Sequence, residues 1–171
     1  PIALGPGPYV FDTAEQHDIR VDVVARHLIH PFSLAFLPNG DALIVERGRA
    51  WRLLREATTS KAQLQKMPIG GVPNFLDQPG VAADPDNHDA PGIQDIALHP
   101  RFSQNRFVYF TQNRPAGPDP ETQQRRFEFV LARGQFQNGQ LINAQDLVVG
   151  ATIAGAAGSR RRGVLPAACR P

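Results

Sequence analysis

Cysteine is almost missing from this chain. Cys169 is the only one, so no internal disulfide can form and the redox compartment stays open. Long apolar runs are missing as well: none approaches the roughly eighteen residues that span a bilayer as a helix, and no charged segment followed by an apolar one opens the sequence. That argues against a membrane span. Apolar residues do not recur with a helical period over any long stretch, which argues against a helical protein. There is no Gly-rich phosphate loop, no His-Glu-x-x-His, no pair of cysteines and no Gly-x-Ser-x-Gly, so nucleotide, zinc and serine-hydrolase chemistry have no motif to rest on. An excess of basic charge is lacking too, despite a net charge of +2 and a pI near 9.2. Arg160, Arg161, Arg162 and Arg170 lie in the last dozen residues, and without them 14 basic residues face 16 acidic ones. The body of the chain is slightly acidic and offers no basic stripe for nucleic acid.

What is present points to an all-β chain. The 15 glycines and 16 prolines fall mostly between short apolar runs. Strand-like runs appear at Ile19–Ala25, Ser33–Leu37, Ala42–Glu46, Arg49–Leu54, Ile93–Leu98, Phe107–Gln112 and Phe127–Arg133, with a weaker one near Leu141–Val149. Asn39-Gly40 and Asn138-Gly139 separate neighbouring runs, and this dipeptide accepts the positive φ angles of a tight hairpin. Pro68–Gly92, rich in Pro, Gly, Asp and Asn, is expected to be a long surface loop.

The sequence also repeats itself. Leu34-Ala35-Phe36-Leu37-Pro38 recurs 62 residues later as Ile96-Ala97-Leu98-His99-Pro100. Each copy precedes a second apolar run, Ala42-Leu43-Ile44-Val45 in one case and Phe107-Val108-Tyr109-Phe110 in the other. Such a repeat suits a propeller, in which each small sheet must stack on its neighbours to bury both faces. A third copy falls due near residue 158, where Arg160-Arg161-Arg162 occupies positions that should enter a core. Three adjacent guanidinium groups are not buried unpaired. The tail from Ser159 is therefore read as a departure from the expected frame, with an ordinary basic tail as the alternative.

Three stretches carry a family resemblance: His30-Pro31-Phe32-Ser33-Leu34-Ala35-Phe36-Leu37-Pro38-Asn39-Gly40 with Ala42–Arg47, Gly92-Ile93-Gln94-Asp95-Ile96-Ala97-Leu98-His99-Pro100-Arg101-Phe102, and Asn105-Arg106-Phe107-Val108-Tyr109. With Phe129–Gly134, they make the chain resemble the N-terminal part of the glucose/sorbosone dehydrogenase family. Those soluble enzymes use pyrroloquinoline quinone (PQQ) on a six-bladed β-propeller. The resemblance implies a partial propeller of about two to two and a half blades. It also implies a quinone with calcium, a sugar substrate, a periplasmic or secreted location, and oxidation of the sugar C1 hydroxyl by hydride transfer to the quinone with a histidine as base. Relatives carry a glutamine two residues before the glycine that matches Gly92, where this chain has Ala90. The catalytic histidine's position falls on Ala156.

Among local residues, Gln94 is the candidate cofactor contact, against the reading of a solvated edge-strand glutamine. Arg47 could face the channel or simply end a strand. His30 and His99 read as punctuation on corresponding sides of two turns, and His17 and His27 as polar residues without a partner. Asp84-Pro85-Asp86-Asn87-His88-Asp89 is the densest oxygen-ligand cluster, but no glycine or closing glutamate follows at a calcium-loop spacing, so solvated acids are favoured over a metal site.

The expected organisation is a flexible lead-in over 1–18, beginning at Pro1 rather than Met, a partial propeller over 19–158 and a basic tail over 159–171. The chain is expected to be inactive alone as a truncated piece of a sugar dehydrogenase. The alternative is a non-catalytic binding or structural propeller fragment without cofactor. Exposed blade edges are expected to promote self-association.

Overall fold

The computed structural model describes residues 5, 7–46, 50–73 and 92–154. Two four-stranded antiparallel meanders make up most of it. The first runs β3 (Pro31–Phe36), β4 (Ala42–Glu46), β5 (Ala50–Arg55) and β6 (Gln63–Leu64) in that spatial order. The second runs β7 (Gly92–Leu98), β8 (Phe107–Pro118), β9 (Arg125–Gln137) and β10 (Gln140–Ala154). A short hairpin of β1 (Tyr9–Phe11) and β2 (Ile19–Val21) precedes them. Each meander is one blade, so the all-β, two-blade expectation agrees with the architecture. The β1–β2 hairpin crosses the boundary expected after residue 18.

Both Asn-Gly hairpins form. Asn138 and Gly139 adopt φ of 51° and 75° in the two-residue link between β9 and β10. In the first blade Gly40, at φ 85°, donates its N–H to the Leu37 carbonyl at 3.0 Å. Beneath this turn lies Asp41, which is buried and saturated with donors. It accepts from the Glu56 N–H at 3.0 Å, Asn39 Nδ2 at 2.9 Å and Arg55 Nη1 at 2.7 Å. Burial alone would raise its carboxyl, but these donors outweigh that penalty and hold it below the usual carboxylate range.

One core lies between the blades. Leu43, Val45, Trp51 and Leu53 of the first blade meet Ile96, Val108, Phe110, Val130 and Ala132 of the second. Trp51 and Phe110 meet edge to face at 5.4 Å between ring centroids. A smaller cluster of Ala42, Ile44, Leu54 and Ala57 occupies the opposite face of the first blade, with Ala25 and Leu28 of the preceding segment packed on it.

The register refines the repeat. Phe36 pairs with Ala42 in the first blade, and its counterpart Leu98 pairs with Val108 in the second. Ala42 therefore corresponds to Val108, not to Phe107 as the apolar runs suggest. Side chains alternate between faces, so a one-residue slip would turn every one of them over. The second blade needs four more residues to turn, and the one-turn helix α1 (Phe102–Asn105) supplies them. The stretch beginning at Pro68 also differs in part from a surface loop. Ile69 is buried and donates its N–H to the Trp51 carbonyl at 2.8 Å, while the Gly70 carbonyl accepts from Leu141 N–H at 2.8 Å. The start of that stretch is thus stitched to both blades.

Candidate functional site

The innermost strands β3 and β7 lie against one another, and polar contacts of Ser33 with Asp95 and with the Ile96 N–H join them. Ser33 Oγ donates to Asp95 Oδ1 at 2.5 Å, and the Ile96 N–H donates to the same carboxylate oxygen at 2.8 Å. Ser33 and Asp95 are counterparts in the repeat, so equivalent positions of adjacent blades meet at this wall. Asp95 is exposed beside it.

Gln94, the cofactor candidate, lies next to this contact on β7 and is half-buried. The β7–β8 register shifts between Ile93 and Asp95, which places Gln94 at a bulge. Simple alternation therefore cannot give its direction. Across the ladder Ile93 pairs with Gln112, whose side chain is buried and whose Oε1 has no hydrogen-bond partner among the described residues. In the first blade the corresponding position is Glu46, also buried. Its carboxylate accepts the Ile29 N–H at 2.8 Å and lies 3.6 Å from Arg52 Nη1. Sequence reasoning missed Glu46 and Gln112. The signal available for them was a polar residue closing an otherwise apolar strand at the same place in both blades.

The histidines resolve differently from expectation. His99 follows the C-terminal end of β7, whereas His30 precedes β3, so they mark opposite ends of the inner strands. The His99 Nδ1 accepts from the Arg101 N–H at 2.9 Å and lies 2.9 Å from Asn105 Nδ2, and its ring stacks on Tyr109. It is a turn residue. His17 does have a partner, Asp12, at 3.5 Å on the surface. Arg47, Asp84–Asp89, Ala90, Ala156 and the tail from Ser159 lie outside the described residues.

At the opposite end of the inner strands a groove of about 750 Å³ opens between the blades, lined by Asp41, Arg55, Arg106, Asn138 and the rings of Phe102 and Phe136. It belongs to the turn end of the blades, away from Gln94.

A quinone polycarboxylate needs cationic or N–H-rich surroundings. Around the start of β7 the described residues offer Gln94, Asp95, Gln112 and Asn113, none of them cationic. The guanidinium of Arg52 is already engaged by Glu46 and by the Gln65 carbonyl at 2.8 Å. This donor set does not fit the quinone. Among the described residues no group of three or more His, Cys, Asp or Glu side chains could hold a metal ion. No helix among them is long and apolar enough to cross a membrane.

Comparison with known proteins places this architecture. Residues 28–161 match the family model for glucose/sorbosone dehydrogenase. An uncharacterized protein of Synechocystis sp. is 37% identical over 102 residues, covering 57% of this chain and 22% of that protein. A crystal structure of glucose dehydrogenase superposes with a TM-score of 0.54 at 26% identity, covering 74% of this chain and 31% of the other. The apo form of the soluble aldose sugar dehydrogenase of Escherichia coli gives a TM-score of 0.51 at 23% identity over 71% of this chain and 30% of that one, a likeness of fold. The chain thus spans less than a third of the length of these relatives.

Proposed function

The chain belongs to the glucose/sorbosone dehydrogenase family, and from that premise we propose that its two blades form part of the scaffold of a PQQ-dependent sugar dehydrogenase that oxidises a sugar C1 hydroxyl. The observation that carries the reading is the family match across both blades, joined to a structure in which their inner strands are bonded at equivalent positions through Ser33 and Asp95. In this reading the described residues contribute shape and one stretch of channel wall, with Gln94 as the nearest candidate contact. The groups that neutralise the quinone come from elsewhere in the propeller, so the 171 residues alone do not turn over sugar. Calcium, like the quinone, enters through the family. A periplasmic or secreted location belongs to the same proposal.

A second reading, a binding or structural propeller without the chemistry, is favoured by Ala90 and Ala156 at the expected glutamine and histidine positions. Quinone titration separates the two when the blades are tested within the complete protein. Quenching of tryptophan fluorescence by PQQ with calcium, together with reduction of an acceptor dye on adding glucose, supports the enzyme. No binding and no dye reduction would leave the structural reading. Dye reduction by the 171 residues alone would overturn the claim that their donor set is incomplete.

A further inference from the structure

We propose that Asn138 is a site of spontaneous covalent modification, converting through a cyclic imide to an isoaspartyl or aspartyl residue, and that Asn39 is held back from the same reaction. In this step the backbone nitrogen of the following residue attacks the side-chain carbonyl carbon of the asparagine. A C–N bond forms, the side-chain nitrogen leaves as ammonia carrying the backbone N–H proton, and water then opens the imide at either carbonyl. Nothing is oxidised or reduced. Glycine in the following position favours the attack, because no side chain crowds its nitrogen. Asn39-Gly40 and Asn138-Gly139 both meet that condition in sequence, so the folded structure decides between them.

The first blade locks both reacting groups. Asn39 Nδ2 donates to Asp41 Oδ2 at 2.9 Å, its Oδ1 accepts the Asp41 N–H at 3.2 Å, and the Gly40 N–H is taken by the Leu37 carbonyl at 3.0 Å. Asp41 is itself buried and bonded to Glu56 and Arg55, which anchors the clamp. The second blade leaves both groups loose. Asn138 is exposed at the tip of the β9–β10 hairpin. Neither its side chain nor the Gly139 N–H makes a hydrogen bond to another described residue. A Cβ on Gly139 would meet nothing within 4 Å, so the space around the turn is open. Both strands and the turn belong to one blade, so the site is complete within the described residues. The isoaspartyl product adds a carbon to the main chain inside this two-residue link. Close by, Leu141 pairs with Phe136, is buried, and donates its N–H to the Gly70 carbonyl at 2.8 Å. A longer turn works against that register, so modification loosens the place where the second blade holds the segment around Gly70.

The complete protein that carries these blades, incubated at mildly alkaline pH, then digested and weighed by mass spectrometry, reports both asparagines in one sample. The readout is the mass gained as an amide becomes an acid. Three hydrogen bonds must open before Asn39 reacts, so Asn138 is expected to convert at least about tenfold faster in the folded protein. In urea the clamp is gone, and the two sites are expected to convert at similar rates. Gly139→Ala is expected to slow conversion at Asn138 several-fold and to leave Asn39 unchanged. In the separated isoaspartyl form the Leu141 amide is expected to exchange faster than in the parent. Equal rates in the folded protein, a difference that persists in urea, or undiminished conversion of Asn138 in Gly139→Ala would overturn the proposal. A Leu141 amide that exchanges as in the parent would overturn the loosening derived from it.

Discussion

Truncating Phe110 to alanine is the sharpest perturbation of the shared core. Phe110 is 1% exposed, belongs to the second blade, and meets Trp51 of the first edge to face. Phe→Ala changes in cores cost about 3–5 kcal/mol, and the lost aromatic pair adds about 0.5–1.5 kcal/mol to area burial alone. A domain is typically stable by about 5–15 kcal/mol, and a blade pair that leaves Leu34, Phe36, Phe129, Val148 and Ile153 exposed belongs at the low end. The variant should therefore lose at least half of its stability, near 4 kcal/mol, or roughly 10 °C in Tm for a chain of this size. Urea titration followed by Trp51 fluorescence reads the effect directly, because Trp51 is the only tryptophan and sits in the blade that was not mutated. Both the fluorescence and the circular dichroism midpoints should fall together. A loss below about 1 kcal/mol, or an unchanged fluorescence transition, would refute the reasoning that the blades share one core.

Further predictions follow from the polar contacts and the turns. The Asp41 carboxyl is held below its ordinary value, so its contribution is complete above the unfolded carboxylate value of about 3.9 and is lost as pH falls through the lower folded value. Asp41→Asn should cost about 1–2 kcal/mol at pH 7 and flatten acid unfolding in that range, read by melts at stepped pH. Arg114 bridges three strands, donating to Glu128 at 2.7 Å and Asp146 at 2.7 Å, with about a third of its side chain exposed. Arg114→Met should cost about 1 kcal/mol and speed amide exchange in the outer halves of β8, β9 and β10 while leaving Phe110 protected. Two glycines separate space from backbone geometry. A Cβ on Gly139 meets nothing within 4 Å, so Gly139→Ala should cost only about 1 kcal/mol through its positive φ. On Gly71 a Cβ would stand 2.0 Å from the Leu141 carbonyl oxygen, so Gly71→Ala should cost more than about 3 kcal/mol by displacing the bridge at Gly70.

Much of the fold was legible because local chemistry and burial agree. The strands around Ala42–Glu46 and Ile93–Leu98 and both Asn-Gly hairpins stand where their apolar runs and turn residues place them. What escaped was either too short or set by partners far along the chain. The strands at Tyr9–Phe11 and Gln63–Leu64 are only two or three residues long and carry no period. The outer ends of β8 and β9 run past their apolar centres into polar residues, and Arg114 with its two carboxylates accompanies that extension. Pro115 and Pro118 bound an irregular stretch there, since proline cannot donate to the ladder. The candidate site was less legible. The bulge at Gln94 depends on pairing with Thr111 and Gln112, and neither the burial of Gln112 nor its lone Oε1 is visible until the sheet is assembled.

Amide hydrogen exchange of the 171-residue polypeptide, resolved to single strands, tests the stacking of the blades most directly. The slowest amides of β4 and β8 should open with the same free energy and lose equal protection in Phe110→Ala. Protection that persists in the first blade while the second exchanges freely would mean two independent sheets, and the shared core would not exist.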